Sequence, residues 1–134
     1  MTAIIEATGL AKSYRRKQAV QGIDFRIEPG RIVGLIGRNG AGKTTVLKSL
    51  LGLTPYEGKL RVLGRDPATE RDALMREVSF IADTAVLPKW LRVKQTLDYV
   101  QGVHPAFQRE RAEAFLKTTE IGMDQRVGEL SKGM

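Results

Sequence analysis

The 134-residue sequence predicts an α/β fold, because a strand, a loop and a helix follow one another near its middle. An apolar run rich in β-branched residues at 32–36 is typical of a buried strand. A glycine-rich stretch at 37–44 comes next, and leucines recur at helical spacing within 45–51. This order is the context of a phosphate-binding loop, so we expect an α/β domain that binds a nucleoside triphosphate.

Further strands are predicted on both sides of this unit by short apolar or alternating runs. They lie at 4–7, 23–27, 59–62 and 78–82. The run at 23–27 alternates apolar and polar residues, as in a strand with one face in water, whereas 78–82 is apolar enough for a second buried strand. Residues 1–83 are therefore expected to combine an antiparallel β front section with the α/β core.

Helices are predicted for most of the C-terminal half of the chain. Helical patterns occur at 70–76, 96–100 and 107–119. The last segment carries an amphipathic stripe formed by Ala112, Phe115, Leu116 and Thr119. We therefore expect residues 84–134 to form the start of a helical subdomain.

Composition excludes several classes of function. The chain is 42% apolar and 28% charged, which is typical of a soluble globular domain, and it has no cysteine for a disulfide, a thiolate metal site or a nucleophile. No segment approaches the roughly 18 consecutive apolar residues of a membrane span, and the N-terminus lacks a signal-peptide pattern. If the protein works at a membrane, we expect it to do so through a partner.

The net charge of +7 raises the question of nucleic acid as a partner. The basic residues are scattered apart from one cluster, formed by Lys12, Arg15, Arg16 and Lys17. A single short cluster is a poor footprint for a long polyanion, so nucleic acid is not favoured. We expect the cluster to border the bound nucleotide instead.

The glycine loop supplies the groups that hold a triphosphate. It fits the pattern G-x-x-x-x-G-K-[ST] at every fixed position. Its residues are Gly37, Arg38, Asn39, Gly40, Ala41, Gly42, Lys43 and Thr44. The glycines let backbone N–H groups converge on phosphate oxygens, and the helix that follows points its positive end at the same anion. Lys43 is expected to stabilise the β- and γ-phosphates, and the Thr44 hydroxyl is expected to ligate Mg²⁺.

Three segments together resemble the ATP-binding subunits of ABC transporters. The loop with the following Thr45 is similar to the family's G-x-N-G-A-G-K-[ST]-T, and Lys12-Ser13-Tyr14 resembles the A-loop, whose aromatic residue stacks on adenine. Leu130-Ser131-Lys132-Gly133-Met134 resembles the signature motif L-S-G-G-Q. The resemblance extends from about Ile5 to the last residue, and it implies nucleotide contacts for Tyr14, Thr45, Ser131 and Gly133.

The resemblance also implies the fold, the ligands and the partners. The expected fold is a P-loop NTPase core of the RecA-like kind, incomplete in this sequence, and the expected ligands are ATP and Mg²⁺. The expected partners are a transmembrane transporter subunit and a second ATP-binding subunit, on the cytoplasmic face of the membrane. The family meets its membrane subunit near the apolar cluster formed by Val86, Leu87, Trp90 and Leu91, which the sequence alone also allows to be a small core.

Two departures from the family pattern bear on catalysis. Asp83 occupies the place of the family's usual glutamine, and the sequence leaves open whether it binds Mg²⁺ or serves as a turn or capping residue. The sequence stops within the signature motif, before the family's Walker B carboxylates and switch histidine. No complete catalytic set is therefore expected, and we predict nucleotide binding with little hydrolysis and a marginally stable fold.

Two alternative functions remain open from the sequence. One is a soluble ABC-type ATPase that acts on nucleic acid or ribosomes. The other is a nucleotide-binding remnant that does not hydrolyse ATP.

Overall fold

The N-terminal half of the chain forms a three-stranded antiparallel sheet. The computed structural model describes residues 3–82 and 87–131. Strands β1 (Ile5–Tyr14), β2 (Lys17–Ile27) and β3 (Glu57–Val62) pair in the order β2-β1-β3. The strands predicted at 4–7, 23–27 and 59–62 are confirmed, and the structure extends all three.

A tight hairpin joins β1 to β2. Tyr14 pairs with Lys17 across the two strands, so only Arg15 and Arg16 form the turn. Arg15 adopts the left-handed backbone conformation, with φ at 51°, as two-residue hairpin turns require. The turn therefore fixes Tyr14 and Lys17 as direct cross-strand neighbours.

The helices are short and follow the predicted positions. They are α1 (Lys43–Leu50), α2 (Arg71–Leu74), α3 (Val93–Val103) and α4 (Arg109–Leu116), with a 3₁₀ turn at Val127–Glu129. The helical segments predicted after the glycine loop and at 70–76, 96–100 and 107–119 are thereby confirmed, with shifted ends.

The main core lies between the sheet and α1. Its buried members are Ala7, Leu10, Val20, Val46 and Leu60. Leu10 and Leu60 are almost completely buried, and each such side chain contributes about 1.5–3 kcal/mol through the apolar surface it removes from water. Val46 is the α1 residue of this cluster, so the packing that stabilises the sheet also holds the helix that follows the glycine loop.

The two strands predicted as buried are not formed, and this part of the prediction was wrong. Residues 32–36 and 78–82 belong to no strand of the described chain. Ile32 is fully exposed, and Ile36 and Ile81 are 95% and 94% exposed. A buried parallel strand needs hydrogen-bonded neighbours and layers over its two faces, and no strand pairs with either segment within the described residues.

The chain divides into two compact units, Met1–Val78 and Ser79–Met134. The second unit contains α3, α4 and the 3₁₀ turn. Its segments are tied by backbone hydrogen bonds from Val93 to Gln125 (3.0 Å) and from Val127 to Leu91 (2.8 Å). No helix in the described ranges is both long and apolar enough to cross a membrane.

Candidate functional site

The glycine loop is positioned by a close approach between its last residue and strand β2. Gly42 precedes α1 with φ 90° and ψ 4°, in the left-handed region that favours glycine. A Cβ atom at Gly42 would lie 2.2 Å from the carbonyl oxygen of Ala19. No other residue type fits this position without moving backbone atoms, which explains the glycine before the lysine.

Hydrogen bonds within the loop lead the chain into α1. The Ala41 N–H donates to the Arg38 carbonyl (3.1 Å), and the Val46 N–H donates to the Gly42 carbonyl (2.9 Å). The first turn of α1 carries no acidic residue. Its unpaired N–H groups and the positive end of the helix dipole are therefore available to an anion.

Lys43 folds back over the loop. Its half-buried side chain places Nζ within hydrogen-bond distance of the carbonyl oxygens of Gly37 (2.5 Å) and Arg38 (2.9 Å). Both contacts use loop carbonyls rather than a carboxylate, so phosphate oxygens can replace them at the ammonium without breaking an ion pair.

A cavity of about 350 Å³ opens over the loop and the start of α1. It is lined by Tyr14, Lys17, Ala19, Asn39, Gly40, Ala41, Gly42, Lys43, Thr44 and Thr45. Two lysines and no carboxylate are among these residues, so the lining favours an anion. Gly37 and Arg38, also predicted site residues, do not line the cavity but hold Lys43 through their carbonyls.

Tyr14 lines this cavity with 46% of its surface exposed. Its hydroxyl lies 3.4 Å from the Thr54 hydroxyl, and hydrogen bonding to Thr54 and Thr45 lowers the pKa of the phenol. The Lys12 ammonium lies 5.0 Å from the ring centroid, within the range of a cation–π contact. The ring is thus anchored by its hydroxyl while much of its surface remains open for stacking.

The fit to Mg²⁺ depends on Thr44. Thr44 is an exposed residue of the cavity lining and follows Lys43 in the chain. Within the described ranges no three or more His, Cys, Asp or Glu residues cluster as a metal site. A single hydroxyl suits Mg²⁺, which keeps several waters and takes most of its remaining oxygen ligands from bound phosphates.

The other predicted site residues lie outside this cavity or outside the described residues. Ser131 is exposed just beyond the 3₁₀ turn, in the second unit. Gly133 and Asp83 fall outside the described residues, so their predicted roles stay predictions.

The basic cluster led us to expect Lys17 beside the nucleotide, and Lys17 lines the cavity, whereas Lys12, Arg15 and Arg16 do not. Ala19 was not expected at the site. The signal that fixes the place of Lys17 is the two-residue hairpin turn, which makes it the direct partner of Tyr14.

A glycine loop, a lysine folded over it and a helix N-terminus define a phosphate-binding loop protein. The comparison with protein families gives the narrower assignment, since the model described as ABC transporter matches residues 20–134. The chain belongs to this family.

Individual relatives agree with this assignment. The daunorubicin/doxorubicin resistance ATP-binding protein DrrA of Streptomyces peucetius is 34% identical over 90% of this chain and 38% of its own length. The phosphonates import ATP-binding protein PhnC 1 of Natronomonas pharaonis is 32% identical over 97% of this chain and 59% of its own length. The chain thus spans about half the length of the curated relatives it matches.

A solved structure shows the same fold. The ATP-binding subunit of an ABC transporter superposes with a TM-score of 0.82 and 25% identity, over 97% of this chain and 57% of that subunit. The α/β phosphate-binding loop fold predicted from the sequence is therefore confirmed, although the described residues pair only three antiparallel strands.

Proposed function

We propose that this chain binds ATP with Mg²⁺, as the nucleotide-binding part of an ABC transporter ATP-binding subunit. The cavity over the glycine loop carries the proposal, because it brings Tyr14 together with Lys43, Thr44 and the start of α1. These groups differ in chemistry, and each suits one part of the same ligand: the aromatic base, the polyphosphate or its metal ion.

Each group has a definite task in this proposal. Tyr14 stacks on the adenine, and the amides between Asn39 and Lys43 bind phosphate oxygens. Lys43 exchanges its loop carbonyls for the β- and γ-phosphates, and Thr44 offers its hydroxyl to Mg²⁺. The bound Mg²⁺ would neutralise part of the phosphate charge and fix the phosphate geometry.

The proposal extends to the whole subunit through its relatives. The names of DrrA and PhnC 1 refer to drug resistance and to phosphonate import, so they do not agree on a substrate. We propose coupling of ATP hydrolysis to transport through a transmembrane subunit and a second ATP-binding subunit at the cytoplasmic face. Ser131 and Gly133 are proposed to contact the nucleotide of that second subunit, and Asp83 is proposed as a ligand of Mg²⁺.

One surface of the second unit supports the proposed membrane partner. Trp90 is 70% exposed and Leu87 is 39% exposed, in the segment that precedes α3. Large apolar side chains are rarely left exposed close together unless a partner covers them.

Isothermal titration of the soluble chain with Mg²⁺–ATP tests the binding. Replacing Lys43 by alanine removes a charge-assisted contact, so we expect at least about tenfold weaker binding. Lys59→Ala is the matched control, because Lys59 is an exposed lysine of β3 that does not line the cavity. Circular dichroism of each variant ensures that folded proteins are compared.

Two results would contradict the proposal. One is the absence of any heat of binding with the folded, unmodified chain. The other is an equal affinity for ATP in the Lys43→Ala and Lys59→Ala variants.

A further inference from the structure

Lys17 is a cation in the cavity that the loop motif does not include. It is the first residue of β2 and lines the cavity together with the loop residues. A Cβ atom built on Gly40 would lie 4.0 Å from its Nζ atom, so the ammonium stands close to the loop backbone. Lys43 approaches the same loop through the carbonyls of Gly37 and Arg38.

The hairpin holds Lys17 in a fixed relation to Tyr14. Directly paired residues of antiparallel strands point their side chains to the same face, and Tyr14 and Lys17 are such a pair. Both side chains line the cavity. The two-residue turn between them fixes the strand register. The aromatic ring and the ammonium therefore stay next to each other on the same face of the hairpin.

The two side chains lie against different residues of the cavity lining. Tyr14 lies toward Thr45, whose hydroxyl contributes to its environment, whereas Lys17 lies at Gly40. A nucleotide whose base stacks on Tyr14 would extend its phosphates over the start of α1 and toward Gly40. Because Lys17 approaches Gly40, we expect the phosphate farthest from the base to come nearest to Lys17.

Lys17 has no competing partner within the described residues. It takes part in no ion pair or side-chain hydrogen bond there, and its side chain is exposed. An ammonium in this position keeps its charge available to an anion, and it adds to the positive field of Lys43 and of the helix.

We propose that Lys17 binds the terminal phosphate of ATP and so makes the site prefer the triphosphate to the diphosphate. This inference rests on the proposed function and adds a specificity-determining residue to it. Lys43 holds phosphates from the loop side, and Lys17 approaches from the hairpin side. The diphosphate lacks the group that Lys17 contacts, so its binding gains little from this lysine.

The test compares the affinities for Mg²⁺–ATP and Mg²⁺–ADP by isothermal titration. In Lys17→Gln we expect about fivefold weaker binding of ATP, which is the change in affinity typical of losing one solvent-exposed charge contact. For ADP, which lacks the contacted phosphate, we expect less than about twofold change. Lys17→Arg keeps the charge and should retain most of the preference. Lys59→Gln removes an exposed lysine elsewhere on the sheet and should change neither affinity.

The outcomes separate this inference from the proposed function. If the unmodified chain binds both nucleotides and Lys17→Gln weakens them equally, or weakens neither, the role of Lys17 is overturned while the proposed function stands. If the unmodified, folded chain binds no nucleotide, both fail. Loss of the ATP preference in Lys17→Gln, with its retention in Lys17→Arg and Lys59→Gln, supports the inference.

Discussion

Replacing Gly42 by alanine tests the close approach between the glycine loop and strand β2. The added Cβ would meet the Ala19 carbonyl oxygen at 2.2 Å, and both atoms belong to or adjoin the backbone. Relieving this contact requires a shift of the loop or the strand, and such overpacking costs about 1–3 kcal/mol. The left-handed conformation at φ 90° adds about 1–2 kcal/mol for alanine. The free energy of unfolding should therefore fall by about 2–5 kcal/mol in total.

Gly64 provides a control that separates the two costs. It also has a positive φ, at 76°, but a Cβ there would meet no atom within 4 Å. Gly64→Ala should therefore lose only about 1–2 kcal/mol, the conformational part. Urea unfolding followed by far-ultraviolet circular dichroism measures both variants. Equal losses at the two positions would refute the argument from the Ala19 contact. Gly42→Ala should also bind ATP more weakly than Gly64→Ala, because only Gly42 shapes the cavity.

Three further predictions concern the base contact, a partly buried hydrogen bond and the core. Tyr14→Ala should weaken ATP binding several-fold, by about 1 kcal/mol, whereas Tyr14→Phe should keep most of the affinity; equal losses in a titration would exclude stacking. Burial and the hydrogen bond to Asp66 (2.6 Å) raise the pKa of Tyr56 to about 12. The stabilising contribution is complete below the ordinary pKa near 10 and is lost as the pH rises toward 12, so urea unfolding from pH 9 to pH 12 should show a steeper loss for the unmodified chain than for Tyr56→Phe. Leu10→Ala should cost about 2–5 kcal/mol of unfolding free energy because Leu10 is fully buried, and Leu53→Ala, at a side chain 49% exposed, should cost much less; similar losses would contradict the assignment of the core.

A local sequence pattern was sufficient to predict some residues of the site but not others. The loop residues 37–44 are contiguous in the chain. Their spacing alone therefore predicted phosphate-binding roles for Gly42, Lys43 and Thr44. Lys17 and Ala19 reach the same cavity through the β1–β2 hairpin, from a part of the sequence about 20 residues away. Such a contact depends on strand register, which the sequence pattern did not specify.

The two predicted strands that the structure does not form have a different cause. The runs at 32–36 and 78–82 have the composition of buried strands, but a strand exists only where another strand accepts its hydrogen bonds. Apolar composition predicts that a segment is suited to burial. It does not supply the neighbour that buries it.

The sequence by itself determined the family, the phosphate loop and the helix that begins at Lys43, because these depend on residues adjacent in the chain. Only the tertiary structure decided which residues of the hairpin face that loop and which apolar runs remain exposed. The physical reason is that loop chemistry and helix periodicity act over a few residues, whereas strand pairing and burial join residues that the chain places far apart.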